Sequence, residues 1–111
     1  MPDRIEETPE LRRLRKRIDA LDRRLVDLLN ERAALAREAG RAKTAAGRRA
    51  VRDAEREREV LLRVSMANTG PLPQADLVAL YRRLFVATRA LEARDRRADT
   101  GTSPSEPSDG G

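Results

Sequence analysis

The feature that most constrains the fold is a helical pattern that runs without interruption from Pro9 to about Ala46. One set of positions recurs at alternating spacings of four and three residues: Leu14, Ile18, Leu21, Leu25, Leu28, Arg32, Leu35, Ala39 and Ala42. This is the period of a coiled-coil seam. Such a helix would be ~55 Å long, whereas a compact domain of this size has a radius of gyration of only ~13 Å. The seam therefore predicts packing against a second chain, in an obligate homodimer.

Two shorter helices follow. The second is predicted from Asp53, a residue type favoured as an N-cap, to about Ala67, where the turn signal of residues 68–71 ends it. The third is predicted from near Pro73 to about Arg97. Its inward side carries Leu77, Leu80, Tyr81, Leu84, Phe85, Thr88 and Leu91. Strand signals are absent, so the predicted fold class is all-α, with three helices per chain and a very long first helix.

Composition limits both the size and the chemistry of the chain. Its 111 residues allow one small domain, predicted at 9–97, between a flexible tail at 1–8 and a disordered Ser/Pro/Gly-rich tail at 98–111. The 24 bases are interleaved with 19 acids, which argues against nucleic-acid binding. The absence of Cys and His excludes disulfides, thiol nucleophiles and most zinc sites. No apolar run approaches the ~18 residues of a membrane span, so we predict a cytoplasmic protein without a signal peptide.

Two basic residues stand out on the first helix. Arg32 occupies a seam position, where an unpaired buried charge would cost several kcal/mol, so it needs an anionic partner or a wet cavity. It could instead set the register by bonding Asp27 or Glu31 of the other chain. Lys43 lies three turns further on nearly the same face. Alone, it would be interpreted as a solvated base favoured by the helix dipole.

Acidic and hydroxyl side chains also fall on inward faces of the shorter helices. Glu57 is in line with the apolar positions of the second helix, and its neighbours Glu55 and Glu59 fall on the solvated side. Thr88 and Glu92 continue the apolar face of the third helix at four-residue spacing. Each residue has an ordinary structural explanation by itself. Together with the two bases they predict a polar site between the helices.

Three segments carry a resemblance to a known family: LRKRIDALDRRLVDLLNERAALAREAGRAK, VRDAEREREVLLRV and LYRRLFVATRALE. In this order and separation they resemble the all-helical chorismate mutases, over roughly residues 11–94. The resemblance implies an intertwined helical homodimer with two active sites. It also implies conversion of chorismate to prephenate, a [3,3] rearrangement of aromatic amino acid biosynthesis that needs no metal or cofactor. With no further domain in the sequence, we expect a stand-alone mutase whose flux control would lie in partner enzymes.

The resemblance assigns catalysis to Arg32, Lys43 and Glu92. Arg32 would bind a substrate carboxylate, and Lys43 and Glu92 would face the ether oxygen of the breaking bond. Arg15 would cross from the partner chain to hold a carboxylate. The geometry of a helix supports this crossing. Arg15 and Arg32 of one chain are ~25 Å apart along the helix, so they cannot both bind the same small molecule. Antiparallel pairing of the two long helices about a dyad near Leu25 would bring the partner's Arg15 opposite the span between Arg32 and Lys43.

Four further residues are assigned to substrate binding. Asp53 would offer a backbone contact, Arg56 would support the charge network, and Glu57 would accept a hydrogen bond from the ring hydroxyl. Thr88 stands where the family commonly has Ser. The linker TAAGRRA departs from the family in its length and in Gly47.

Other functions fit the same sequence. On the same fold, the chain could be an isochorismate pyruvate lyase or an aminodeoxychorismate mutase, since both need a similar clamp on carboxylates. It could also be a coiled-coil adaptor with no catalysis. Replacement of Arg32 by leucine would distinguish an enzyme from an adaptor, because an adaptor should tolerate leucine at that seam position.

Overall fold

The computed structural model describes residues 7–47 and 53–99. Within these residues the chain forms three α-helices and no strand: α1 is Pro9–Ala45, α2 is Ala54–Ala67 and α3 is Gln74–Asp99. The prediction of an all-α chain with a very long first helix is therefore confirmed. The third helix continues two residues past its predicted end. The tails predicted at 1–8 and 98–111 lie mostly outside the described residues.

Local capping interactions set the ends of α1. The Thr8 side-chain oxygen accepts a hydrogen bond from the Leu11 amide at 3.1 Å, and Pro9 takes the first helical position. A threonine cap followed by proline is a favoured start, because the cap satisfies a free amide and proline has none to satisfy. At the other end Gly47 adopts a φ of +85° and donates its amide to the Thr44 carbonyl at 2.9 Å. The left-handed glycine ends the helix there.

The first turn of α2 confirms the predicted N-cap. The Asp53 carboxylate accepts from the Arg56 amide at 3.0 Å, and the Asp53 carbonyl accepts from the Glu57 amide at 3.0 Å. An aspartate at this position also places negative charge at the positive end of the helix dipole. The cap therefore positions Glu57 one turn into the helix.

Asn68 organises the turn between α2 and α3. Its side-chain amide donates to the Leu72 carbonyl at 3.1 Å and to the Gln74 side chain at 2.8 Å. Its side-chain oxygen accepts from the Gly70 amide at 3.0 Å, and Gly70 has a φ of +84° that other residues rarely adopt. These bonds connect the end of α2 to the start of α3.

The chain divides into two compact units at the Ala34–Leu35 boundary. The described part of the first unit, residues 7–34, consists of the first turns of α1 and the two residues before them. Its seam side chains are largely exposed in the single chain: Leu14, Ile18, Leu21, Leu25 and Leu28, with Leu25 at 56%. Residues 9–34 therefore have no core of their own.

The second unit contains the end of α1, α2 and α3. Helix α2 packs against α3, and Phe85 of α3 is the one buried apolar side chain among the described residues, at 7% exposure. Its ring meets that of Tyr81 edge to face, with centroids 6.3 Å apart. The polar residues that follow on α3 continue from this small core toward the end of α1.

Candidate active site

Glu92 of α3 lies close to the backbone of α1 at Gly40. A Cβ placed on Gly40 would lie 3.2 Å from Cγ of Glu92 and 3.4 Å from its carboxyl carbon. Glycine in a helix interior costs about 1 kcal/mol relative to alanine, so its presence here has a local cost. The missing side chain leaves space for the half-buried carboxyl of Glu92 against α1.

Charged groups from all three helices surround that carboxyl. Burial has the largest effect and raises the pKa of Glu92 above its usual value. The positive charges of Lys43 and Arg89 oppose this rise, while the negative charges of Asp95 and Glu57 add to it. The net result is a raised pKa, so Glu92 stays protonated to higher pH than an ordinary glutamate.

Glu57 points inward and pairs with α3. Its carboxylate accepts a hydrogen bond from Nη1 of Arg89, and the Glu57 side chain is only 16% exposed. The inward position predicted from its helical spacing is confirmed. A partly buried ion pair of this kind holds both side chains in one orientation. Glu57 therefore has a defined position beside Glu92.

The outer edge of α2 carries a separate ion pair. Nη1 of Arg56 lies 2.6 Å from Oε1 of Glu59, and both side chains are more than half exposed. Glu55 and Arg58 are exposed as well. In the single chain Arg56 thus belongs to the solvated side of α2, whereas Glu57 belongs to the inner side.

A second interhelical ion pair joins α1 to α3. Nε and Nη2 of Arg37 donate to the two carboxylate oxygens of Asp95, each at 2.9 Å. Arg41 lies 4.0 Å from the same carboxylate. The hydrogen bond from Arg37 is the main reason that the pKa of Asp95 lies below its usual value, although burial opposes it. Asp95 is three residues after Glu92, so the pair lies next to the Glu92 carboxyl.

The structure brings together three of the eight residues predicted from the sequence. In the second unit, Lys43 and Glu57 both lie near enough to the Glu92 carboxyl to influence its pKa, and Thr88 is half-buried one turn before Glu92. Asp53 and Arg56 lie in the first turn of α2. Arg15 and Arg32 belong to the first unit.

The two arginines of the first unit differ in exposure. Arg32 is half-buried, whereas the Arg15 side chain is 55% exposed and pairs with Glu7. The catalytic and binding roles assigned to all eight residues remain predictions.

Four residues of this cluster were not predicted from the sequence: Arg37, Gly40, Arg89 and Asp95. The spacing contained a signal for two of them, since Arg89, Glu92 and Asp95 continue the Tyr81 and Phe85 face at steps of four and three. The signal is weak in a chain in which 39% of residues are charged, because most such residues are solvated.

The described residues hold no group of three or more acidic, His or Cys side chains that could bind a metal ion. Within the same residues, every helix is too short or too polar to cross a membrane. The ionisable groups of the cluster around Glu92 are ammonium, guanidinium and carboxyl groups. These can bind carboxylates, donate hydrogen bonds to an oxygen that gains charge, and accept one from a hydroxyl.

Comparisons with family models, with curated proteins and with solved structures all point to the same family. The family model described as chorismate mutase type II matches residues 14–93. The bifunctional chorismate mutase/prephenate dehydratase of Stutzerimonas stutzeri is 39% identical over 101 residues, covering 87% of this chain and 28% of the relative. The protein of the same name from Aquifex aeolicus is 38% identical over 96 residues, covering 83% and 26%. The chain thus spans about a quarter of the length of these relatives.

Solved structures show the same similarity over nearly their whole length. Form II of a chorismate mutase from Thermus thermophilus matches with a TM-score of 0.72 and 35% identity, covering 77% of this chain and 96% of that one. Form I matches with a TM-score of 0.67 and 34% identity, covering 71% and 98%.

Proposed function

Because the chain belongs to the chorismate mutase type II family, we propose that it converts chorismate to prephenate. In this rearrangement the ether C–O bond breaks while a C–C bond forms within the same molecule. Atoms and electrons balance without an added proton, oxidant or second substrate. The protein's contribution is therefore to hold the reactive conformer and to stabilise charge in the transition state.

The observation that carries the proposal is the grouping of Lys43, Glu57 and Glu92 in the second unit. The breaking ether oxygen gains negative charge, so two donors directed at it lower the barrier. Lys43 supplies one as an ammonium, and Glu92 supplies the other when it is protonated. Glu57, held by Arg89, accepts from the ring hydroxyl.

The carboxylates of the substrate are assigned to arginines. Arg32 binds one from the same chain, and Arg15 of a second copy reaches the other. Thr88, Asp53 and Arg56 complete the lining.

The proposed homodimer is supported by the exposed seam. A fully buried leucine stabilises by about 1.5–3 kcal/mol relative to an exposed one, so the exposed seam leucines of residues 9–34 favour pairing with a second copy. We further propose a cytoplasmic location and a role in aromatic amino acid biosynthesis.

The direct test incubates the purified protein with chorismate and follows the loss of its ultraviolet absorbance and the appearance of prephenate. Parallel reactions contain isochorismate and the amino analogue of chorismate. We expect the highest kcat/KM with chorismate. Release of pyruvate from isochorismate as the main activity would assign the protein to the lyases instead.

The alternative that the chain is an adaptor without catalytic activity is tested with the variant Arg32→Leu. For an enzyme, this change removes a carboxylate contact and abolishes most activity, whether or not stability rises. For a coiled-coil adaptor, leucine completes the apolar seam and raises the melting temperature. Wild-type protein that is inactive on all three compounds, together with a more stable Arg32→Leu variant, would support the adaptor.

A further inference from the structure

We propose that Arg37 and Asp95 are positioning residues that hold the Glu92 carboxyl against α1 and balance the charge beside it. Neither is assigned a contact with substrate. The inference rests on the proposed function for the importance of Glu92, but the arrangement itself can be tested in the substrate-free protein.

The first support is the geometry of the ion pair. The guanidinium of Arg37 donates to both oxygens of Asp95, each at 2.9 Å. A bidentate pair restrains distance and orientation together, which a single hydrogen bond does not. The Asp95 side chain is 17% exposed and the Arg37 side chain 41%, so the carboxylate is the more shielded partner of the pair. The pair therefore fixes α3 against the end of α1.

The second support is the place of the pair relative to Glu92. Asp95 follows Glu92 by three residues on α3, and Gly40 follows Arg37 by three residues on α1. Residues three apart share one side of a helix. The ion pair between Arg37 and Asp95 thus lies next to the close approach of Gly40 and Glu92, where a Cβ on Gly40 would lie 3.2 Å from Cγ of Glu92. Loosening this ion pair would free Glu92 to move away from Lys43.

The third support is the balance of charge. Glu92 is faced by Lys43 from α1, Glu57 from α2, and Arg89 and Asp95 from α3. Asp95 favours the protonated Glu92 even while it is paired with Arg37, and the positive charge of Arg37 offsets part of that effect. Loss of Arg37 would leave the full negative charge of Asp95 acting on Glu92 and would favour the protonated carboxyl further. Loss of Asp95 would leave the positive charge of Arg37 and favour the carboxylate.

The opposite effects expected from losing Arg37 and from losing Asp95 distinguish a pair that acts on Glu92 from a pair that only stabilises the fold. If the pair only stabilised the fold, Arg37→Gln and Asp95→Asn would both lower the melting temperature and leave the titration of Glu92 unchanged. If the pair sets the field at Glu92, the two variants shift that titration in opposite directions. The double variant removes both charges, so its midpoint should fall between those of the two single variants.

The experiment is an NMR titration of the Glu92 side-chain carboxyl carbon in the full chain without substrate. The resonance is assigned by its disappearance in Glu92→Gln. We expect the midpoint to move to higher pH in Arg37→Gln and to lower pH in Asp95→Asn. Arg63→Gln makes the same chemical change at an exposed position on α2 and should leave the midpoint where it is. Shifts of the same sign, or no shift, would overturn the inference.

Arg37→Lys keeps the test decisive if Arg37→Gln fails to fold. Lysine retains the charge but not the bidentate bond. We expect the Glu92 midpoint to stay near wild type and kcat to fall several-fold with KM less affected, because Glu92 is no longer held in place. An unchanged kcat would contradict positioning. If the wild-type protein does not convert chorismate, the proposed function fails, and the titration still decides whether the pair controls Glu92.

Discussion

The protonation state of the Glu92 carboxyl depends on burial and on neighbouring charges, which act in opposite directions. Burial beside α1, together with Asp95 and Glu57, favours the neutral acid, whereas Lys43 and Arg89 favour the carboxylate. Sequence alone left this balance open, and the structure gives a raised pKa. In the proposed reaction a neutral Glu92 carboxyl can donate a hydrogen bond to the ether oxygen, whereas a carboxylate would repel the charge that develops there.

The first prediction concerns the pH profile of wild type and Glu92→Gln. In the proposed mechanism the protonated form of Glu92 is the active one, so kcat/KM should fall as pH rises through the raised pKa. Glutamine donates at every pH and should keep its activity toward neutral and alkaline values. The measurement is kcat/KM with chorismate from about pH 4.5 to 9. A level wild-type profile, or the same decline in the glutamine variant, would remove Glu92 from this role.

The second prediction concerns Gly40→Ala. The new Cβ would lie 3.2 Å from Cγ of Glu92 and displace the side chain by a few tenths of an ångström. Alanine gains about 1 kcal/mol of helix propensity, which offsets the crowding. We therefore expect kcat to fall several-fold while the melting temperature changes little.

Gly47→Ala is the matched control for this prediction. Among the described residues other than its chain neighbours, a Cβ on Gly47 meets no atom within 4 Å, but its φ of +85° is strained for alanine by about 1–2 kcal/mol. This variant should lose stability and retain kcat. Equal effects of the two substitutions on kcat would show that Gly40 does not act through Glu92.

At the scale of the helices, polar contacts as well as apolar ones connect α1, α2 and α3. Phe85 is the one buried apolar side chain among the described residues. The Glu57–Arg89 and Arg37–Asp95 pairs each join two helices. With so small an apolar core in the single chain, these pairs add restraints on how α2 and the end of α1 pack against α3.

The third prediction is that the contribution of Asp95 to stability depends on pH. Arg37 lowers the folded-state pKa of Asp95, so the carboxylate stabilises the fold at pH values above its unfolded pKa of about 3.9. That contribution is lost as pH falls through the lowered folded pKa. The melting temperature of wild type should exceed that of Asp95→Asn at neutral pH, and the gap should narrow in acid.

Glu38→Gln is the control for the acid series, because it removes a carboxylate from an exposed position of α1. It should change the melting temperature little at any pH. If the gap between wild type and Asp95→Asn stayed constant into acid, the stabilising interaction would not involve the Asp95 carboxylate.

At the scale of the whole molecule, the proposed active site needs two chains. Arg15 and Arg32 lie on α1, 17 residues apart, ~25 Å at helical rise. A second copy paired antiparallel along the exposed seam would bring its own Arg15 to the first copy's Arg32. Two equivalent sites would follow from the two-fold symmetry.

The fourth prediction is complementation between Arg15→Ala and Arg32→Ala. Each variant alone should lose most activity, because both of its sites lack one arginine. In a mixed dimer one site draws both arginines from unmutated positions. An equimolar mixture should recover about one quarter of wild-type activity, since half of the dimers carry one intact site of two. The measurement is chorismate turnover after mixing.

Subunit exchange is checked in the same mixture with differently tagged copies and sedimentation. If mixed dimers form and no activity returns, Arg15 does not act across the interface. Sedimentation of the wild-type protein as a folded monomer at micromolar concentration would contradict the dimer itself.

Features that depend on residues near one another in the chain were predictable from the sequence. The three helices follow from continuous apolar periodicity, and the α2 cap follows from Asp53 standing just before it, because helix formation and capping are local. The inward position of Glu57 was predictable because a helical period fixes which residues share a face. Family resemblance supplied the candidate roles.

The partners of the inward residues were decided only by the tertiary structure. Twenty-two of the 24 bases are arginine, so the sequence contains many possible partners for Glu57 and Asp95. Which arginine pairs with which acid depends on the distance and rotation between helices, and local patterns do not contain these quantities. The sign of the Glu92 pKa shift has the same origin: burial against Gly40 and the distances to four charged groups exist only once α1, α2 and α3 have packed.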